Sequence, residues 1–181
     1  MKNYIPTKKL TILSFIFFAI NATALTVFGK TLARYSNLSK LDFQFKGYNI
    51  AFVTKLFTDY GVEGRNTYFW LNILDIVFPF FVALLGFCYF GYSWKKWNYK
   101  IVWFVLIIAS FSFCLFDTIE NIFVFRMLAK FPNFSEIEVM ISSISTQIKL
   151  ISLLIIYIAI PITFLISIIK QLSDKKNKIG T

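Results

Sequence analysis

The chain has 181 residues, of which 57% are hydrophobic and 15% charged, with 23 phenylalanines and a formal net charge of +10. An ordinary soluble domain is roughly 45–50% apolar, and the excess here sits in four runs, each long enough to cross a hydrocarbon core of about 30 Å. This pattern excludes a globular cytosolic protein and a disordered chain, and leaves too little sequence for a separate soluble enzyme domain of ordinary size.

The first run is predicted to span the membrane over 10–28, behind Lys2, Lys8 and Lys9. Ala22-Thr23-Ala24 has the small-x-small form of a signal-peptide cleavage site. The apolar run continues through Leu25, Val27 and Phe28, however, so a retained span is expected. A polar connection follows from Gly29 to Asn66. Within it Ile50, Val53, Phe57 and Tyr60 recur at helical spacing, with Phe52 and Leu56 beside them. Asn49 can cap that stretch and Gly61 can end it. The prediction is a short amphipathic helix on the membrane surface or capping the bundle.

The second span is placed at 67–90. After it come Tyr92, Trp94, Trp97 and Tyr99 mixed with Lys95, Lys96 and Lys100, an aromatic and basic interface belt on a tight turn. The third span covers 101–128 and is broken by Phe131-Pro132-Asn133. A polar approach, Ser135 to Ser145, leads to the fourth span at 146–169, and Lys170, Lys175, Lys176 and Lys178 follow. The expected fold is all-α: one polytopic membrane domain, a four-transmembrane-helix bundle with a short outer amphipathic helix and an extracytoplasmic connection at 29–66.

The N-terminus, the second connection and the tail share one side and carry ten Lys/Arg in short segments against the membrane. The other side carries eight, spread over longer connections and offset by Asp42, Asp59, Glu63, Glu136 and Glu138. By density, both termini are expected to be cytoplasmic. The basic excess therefore reads as membrane flanks, and no nucleic-acid partner is expected. With no histidine in the chain, the usual imidazole base and zinc ligand are missing. No metal or cofactor is expected. Cys88 and Cys114 lie in apolar runs and read as small buried hydrophobes.

Ionisable residues inside spans are costly and mark functional candidates. Four occur: Asp75, Asp117, Glu120 and Lys149. At 1.5 Å per residue, Asp75 and Asp117 lie roughly 5 Å outward of the midplane, Glu120 roughly 10 Å and Lys149 roughly 13 Å. Asn72 falls near Glu120, and Asn21 lies slightly outward of the centre of the first span. The faces agree as well. Arg65, Tyr68, Asn72, Asp75, Pro79 and Gly86 form one stripe; Ser110, Asp117, Glu120, Asn121 and Val124 a second; Ser142, Ser145, Thr146, Lys149, Ser152, Ala159 and Thr163 a third. Pro79 cannot donate to the carbonyl of Asp75, which leaves a carboxylate and a free backbone oxygen on one turn.

Two readings follow. Glu120 and Lys149 pair, Asp75 and Asp117 share a proton, and the network only glues the bundle; or the group lines a ligand, ion or catalytic pocket opening outward, with Asn72 and Asn121 orienting the acid pair. Three acids against one lysine, with added amides, exceed what packing requires, and favour the pocket. The candidate ligand- or proton-binding residues are Asp75, Asp117, Glu120, Asn121, Asn72, Lys149 and Arg65. Asn37-Leu-Ser39 and Asn133-Phe-Ser135 fit the glycosylation pattern and matter only in a secretory pathway. No Walker loop, GxSxG, HExxH or GxxxG is present.

The residues Gly61-Val-Glu-Gly-Arg65, Tyr68, Asp75, Pro79, Asp117-Thr-Ile-Glu120-Asn121 and Thr146-Gln-Ile-Lys149 resemble a family of small four-span bacterial membrane proteins. Its pattern is a GR-x2-Y approach, an Asp followed by Pro, a D-x2-E-N signature in the third span, and a late T-x2-K. The resemblance covers Leu41 to Leu154. It implies a bacterial inner (cytoplasmic) membrane and a shared site, and names no reaction. Where the family pattern has a tyrosine shortly after the proline, this chain has Ala83 and Leu84.

Three functions follow from these residues. The first is an integral membrane protein that binds, and can move, a small amphipathic or cationic ligand or a proton in an outward-facing acidic pocket. The second is a lipid-directed enzyme using Asp75, Asp117 and Glu120 as acid–base groups. The third is an assembly subunit whose polar network is structural. Four helices are few for alternating access, so a transporter would need to form a homo-oligomer within the lipid bilayer.

Overall fold

A computed structural model describes residues 8–96 and 100–179. The described residues are mostly helical, with five α-helices and one 3-10 turn and no strand among them. The helices are α1 (Lys8–Leu32), α2 (Ile50–Asp75), α3 (Phe78–Lys96), α4 (Lys100–Lys130) and α5 (Glu136–Ile179), with the 3-10 turn at Leu41–Phe43. Among the described residues, four stretches are long and apolar enough to cross a membrane: Ile12–Leu32, Ile50–Gly91, Ile101–Lys130 and Glu136–Thr163. The chain is an all-α four-helix membrane bundle. The tip of the expected aromatic turn, at Trp97 and Tyr99, lies outside the described residues.

Burial is inverted relative to a soluble protein. On α4, Phe111, Leu115 and Ile122 are about half exposed, while Ser110, Asp117, Glu120 and Asn121 are buried. Apolar side chains turned outward are stable only against hydrocarbon. The polar stripes expected from sequence are the inward faces. Tyr68 and Asn72 on α2, and Ser142, Ser145, Thr146, Lys149 and Ser152 on α5, are all buried. Close approach relies on small residues: a Cβ at Gly86 of α3 would collide with Ser110 of α4.

The amphipathic segment is the first part of α2. Asn49 accepts a hydrogen bond from the Phe52 amide at 2.9 Å, and Gly61 departs from helical geometry at φ 58°. An L side chain rarely tolerates that φ, so a glycine there lets the helix end and restart. Of the two alternatives, the segment caps the bundle. Val53, Leu56, Phe57 and Tyr60 are buried against Val124, Met127, Leu128, Phe134 and Val139.

Two boundaries differ from the sequence reading. The second span is interrupted at 76–77, between α2 and α3, where Pro79 cannot continue the ladder back to Asp75. The polar approach to the fourth span is already helix, because α5 starts at Glu136. Ser135 opens it with a capping box: its amide donates to Glu138 Oε2 at 2.9 Å, and its hydroxyl receives the Glu138 amide at 3.2 Å. Glu138 Oε1 also receives Arg126 Nε at 3.0 Å and Lys130 Nζ at 2.8 Å, which ties the end of α4 to the start of α5.

Candidate functional site

The connection after α1 folds back onto α5. The Tyr48 amide donates to Ser143 Oγ at 2.8 Å, and the Tyr48 hydroxyl reaches Ser142 Oγ at 2.7 Å and Thr146 Oγ1 at 3.2 Å. Burial pushes the Tyr48 phenol well above its ordinary pKa, and the Glu120 carboxylate adds to that, so it stays a neutral donor. Gly47 has φ 78°, and a Cβ there would collide with Gln147 and Ser143. The loop thus docks backbone-first on the serine-rich start of α5. This docking carries Leu41 and Asp42 into the interior, where both are buried.

Lys149 is the hub. Its Nζ lies 2.5 Å from Glu120 Oε2, 2.6 Å from Asp117 Oδ1 and 3.4 Å from Asp42 Oδ1. Lys40 Nζ approaches Asp42 Oδ2 at 3.3 Å. Burial alone would raise the Asp42 carboxyl, but the ammonium groups of Lys40 and Lys149 outweigh it and hold the group at about 2, below its ordinary 3.8. The expected pair of Glu120 and Lys149 is present, and it is part of a larger group with two aspartates.

Asp117 and Asp75 face one cavity of about 560 Å³, which Lys40, Asp42, Lys149 and Tyr60 also line. Asp75 makes no hydrogen bond or ion pair with other described residues. Asp117 Oδ2, Glu120 Oε1 and both side-chain polar atoms of Asn121 are buried without a hydrogen-bond partner among the described residues. Buried polar atoms are rarely left so. With Asp42 included, four carboxyl groups meet the ammonium groups of Lys149 and Lys40, and Lys30 lines the cavity as a third. Thr26 and Ser39 also line the cavity, and the rest of its wall is largely apolar or aromatic, including Leu25, Phe78, Phe113, Leu153 and Tyr157.

Two candidate residues take other positions. Asn72 does not orient the acids: its Nδ2 donates to the backbone carbonyl of Asn121 at 2.8 Å and so fastens α2 to α4. Arg65 does not enter the cavity. Its Nη1 donates to the Phe57 carbonyl at 2.8 Å, and its guanidinium lies 4.3 Å from the centre of the Phe131 ring. The helix ending at Gly61 leaves carbonyls short of amide donors, and Arg65 supplies one.

The sequence reading missed Asp42, Lys40 and Tyr48 as members of the site. One signal was available: a connection of this length is uncommon in a compact domain unless it binds or covers something. Leu41-Asp42-Phe43 is also an apolar–acidic–apolar triplet in an otherwise polar stretch. Among the described residues, no cluster of three or more His, Cys, Asp or Glu is arranged to hold a metal. Comparison with protein-family models, with curated proteins and with solved structures finds no match.

Proposed function

We propose that this membrane protein binds a small organic cation in the acidic cavity between its helices. The observation that carries the reading is a roomy, largely apolar and aromatic cavity lined by Asp75, Asp117 and Asp42, at which Asp75 makes no hydrogen bond or ion pair with other described residues. A cavity of this volume is in the ordinary range for small-ligand sites. Lys149, Lys40 and Lys30 balance part of the negative charge of the four carboxyl groups, and the surplus falls to a bound cation or a proton. The density of basic flanks supports cytoplasmic termini, with the cavity on the outer side. The sequence resemblance to small four-span bacterial membrane proteins is what points to a bacterial inner membrane.

A second reading, acid–base catalysis on a lipid, draws on the same unpartnered Asp75. A structural reading draws on the three-way pairing of Lys149. Melting of the purified protein in non-ionic detergent separates binding from glue. Butylamine should raise the melting temperature in a saturable way, and butanol should not, because a ligand stabilises only the state it binds. Equal effects of the two probes would remove the cation site.

A further inference from the structure

We infer that the occupant is a single-chain amphiphile with a protonated amine, its nitrogen at Asp75 and its chain in an apolar cavity between α1 and α5. This rests on the cation-binding reading above and adds the substrate class and the direction of entry. A second cavity of about 550 Å³ abuts the first: Leu153 and Tyr157 of α5 line both. Its lining, which includes Ile12, Leu85 and Ile160, contains no charged residue. The two cavities together have a charged end and a long apolar end. A compact hydrophilic cation would leave the apolar end unused, and a neutral chain would leave the carboxyl groups unmatched. An ammonium brings three N–H donors, and Asp75, which lines the charged cavity, makes no hydrogen bond or ion pair with other described residues and can accept one.

The packing supplies an entrance. α1 packs on α3 and α2, while α5 packs on α4. The seam between α1 and α5 is where both cavities lie, and Ile12 and Tyr157, which line the apolar cavity, are 51% and 55% exposed. In a bilayer those faces meet acyl chains, so a ligand dissolved in the membrane reaches the cavity sideways.

The test uses the full chain in phosphatidylcholine nanodiscs and two probes with a terminal diazirine, dodecylamine and dodecanol. After irradiation, the amine should label residues of the apolar cavity on α1, α3 or α5, and excess butylamine should suppress the labelling. Asp75→Asn should weaken it by about tenfold, the low end expected for a hydrogen bond to a charged group. The alcohol should mark only outward residues such as Phe111 and Leu115. A second variant, Leu85→Trp, fills the apolar cavity; it should lose chain labelling and still be stabilised by butylamine. Amine labelling spread over outward residues, equal in parent and Asp75→Asn, overturns the chain assignment. If butylamine then still stabilises the parent, the cation site stands without the chain; if it does not, both fall together.

Discussion

Asp42, in the connection after the first helix, lies 3.4 Å from Lys149, in the first third of the last. The contact joins the connection between α1 and α2 to a buried ammonium that also holds Asp117 and Glu120. Docking of the loop and the charge balance of the cavity are therefore linked through one side chain.

Lys149→Met should be among the most damaging single changes, because it leaves several buried carboxyl groups without a counter-charge. Breaking one buried pair in this way costs about 3–5 kcal/mol. Glu120→Gln alone should cost less, since Lys149 keeps Asp117 and Asp42. The double variant should be milder than Lys149→Met. Melting of the four proteins in one detergent checks this, and strictly additive losses would mean that Lys149 and Glu120 are not coupled.

Acid should release the loop. Asp42 is held at about 2 in the folded protein against an ordinary 3.8. Because the folded value is the lower one, its contribution is complete above about pH 4 and is lost as pH falls toward 2. That contribution is on the order of 2 kcal/mol. Asp42→Asn should lower stability at neutral pH and flatten the acid limb between pH 4 and 2. An unchanged acid limb in the variant would contradict the pairing with Lys40 and Lys149.

Gly47→Ala tests the docking itself. The residue has φ 78° and no room for a Cβ beside Gln147 and Ser143. A loss of about 1–3 kcal/mol is expected, from the unfavourable φ and the displaced loop. Proteolysis at the connection should accelerate, while Gly29→Ala, whose Cβ would meet only the Lys40 ammonium at 3.9 Å, should leave it unchanged.

Topology is open to direct labelling. Cysteines placed at Ser39 and in the tail of otherwise cysteine-free protein should differ in intact cells. An impermeant reagent is expected to reach Ser39 and not the tail. The reverse would turn the cavity inward.

The fold was legible because its signals are local or periodic. Span-length apolar runs, the Asn49 cap and the Gly61 break all appear where the residues place them. So do the inward stripes that bring Asp117, Glu120 and Lys149 together. Depth arithmetic treats each helix as an isolated rod, so it set the lysine at the level of Glu120 and could not see that its Nζ also meets Asp117. Asp42 was illegible for a different reason. Its position depends on a long connection docking on Ser142, Ser143 and Thr146 through Tyr48, a contact between segments about 95 residues apart that no periodicity encodes. Arg65 lay on the right stripe, but the kink at Gly61 gave it a carbonyl to satisfy.

The most direct test of the central claim combines stability and binding in one variant, Asp75→Asn. The change keeps the shape of the side chain and removes its charge, and Asp75 has no ion pair with other described residues to lose. The variant should melt at or above the parent temperature, since binding sites often hold groups that cost stability, and its affinity for butylamine, measured by calorimetry in the same detergent, should fall by about tenfold or more. A variant that melts like the parent and binds butylamine equally well would contradict the cation site and leave the carboxyl groups as structural members of the bundle.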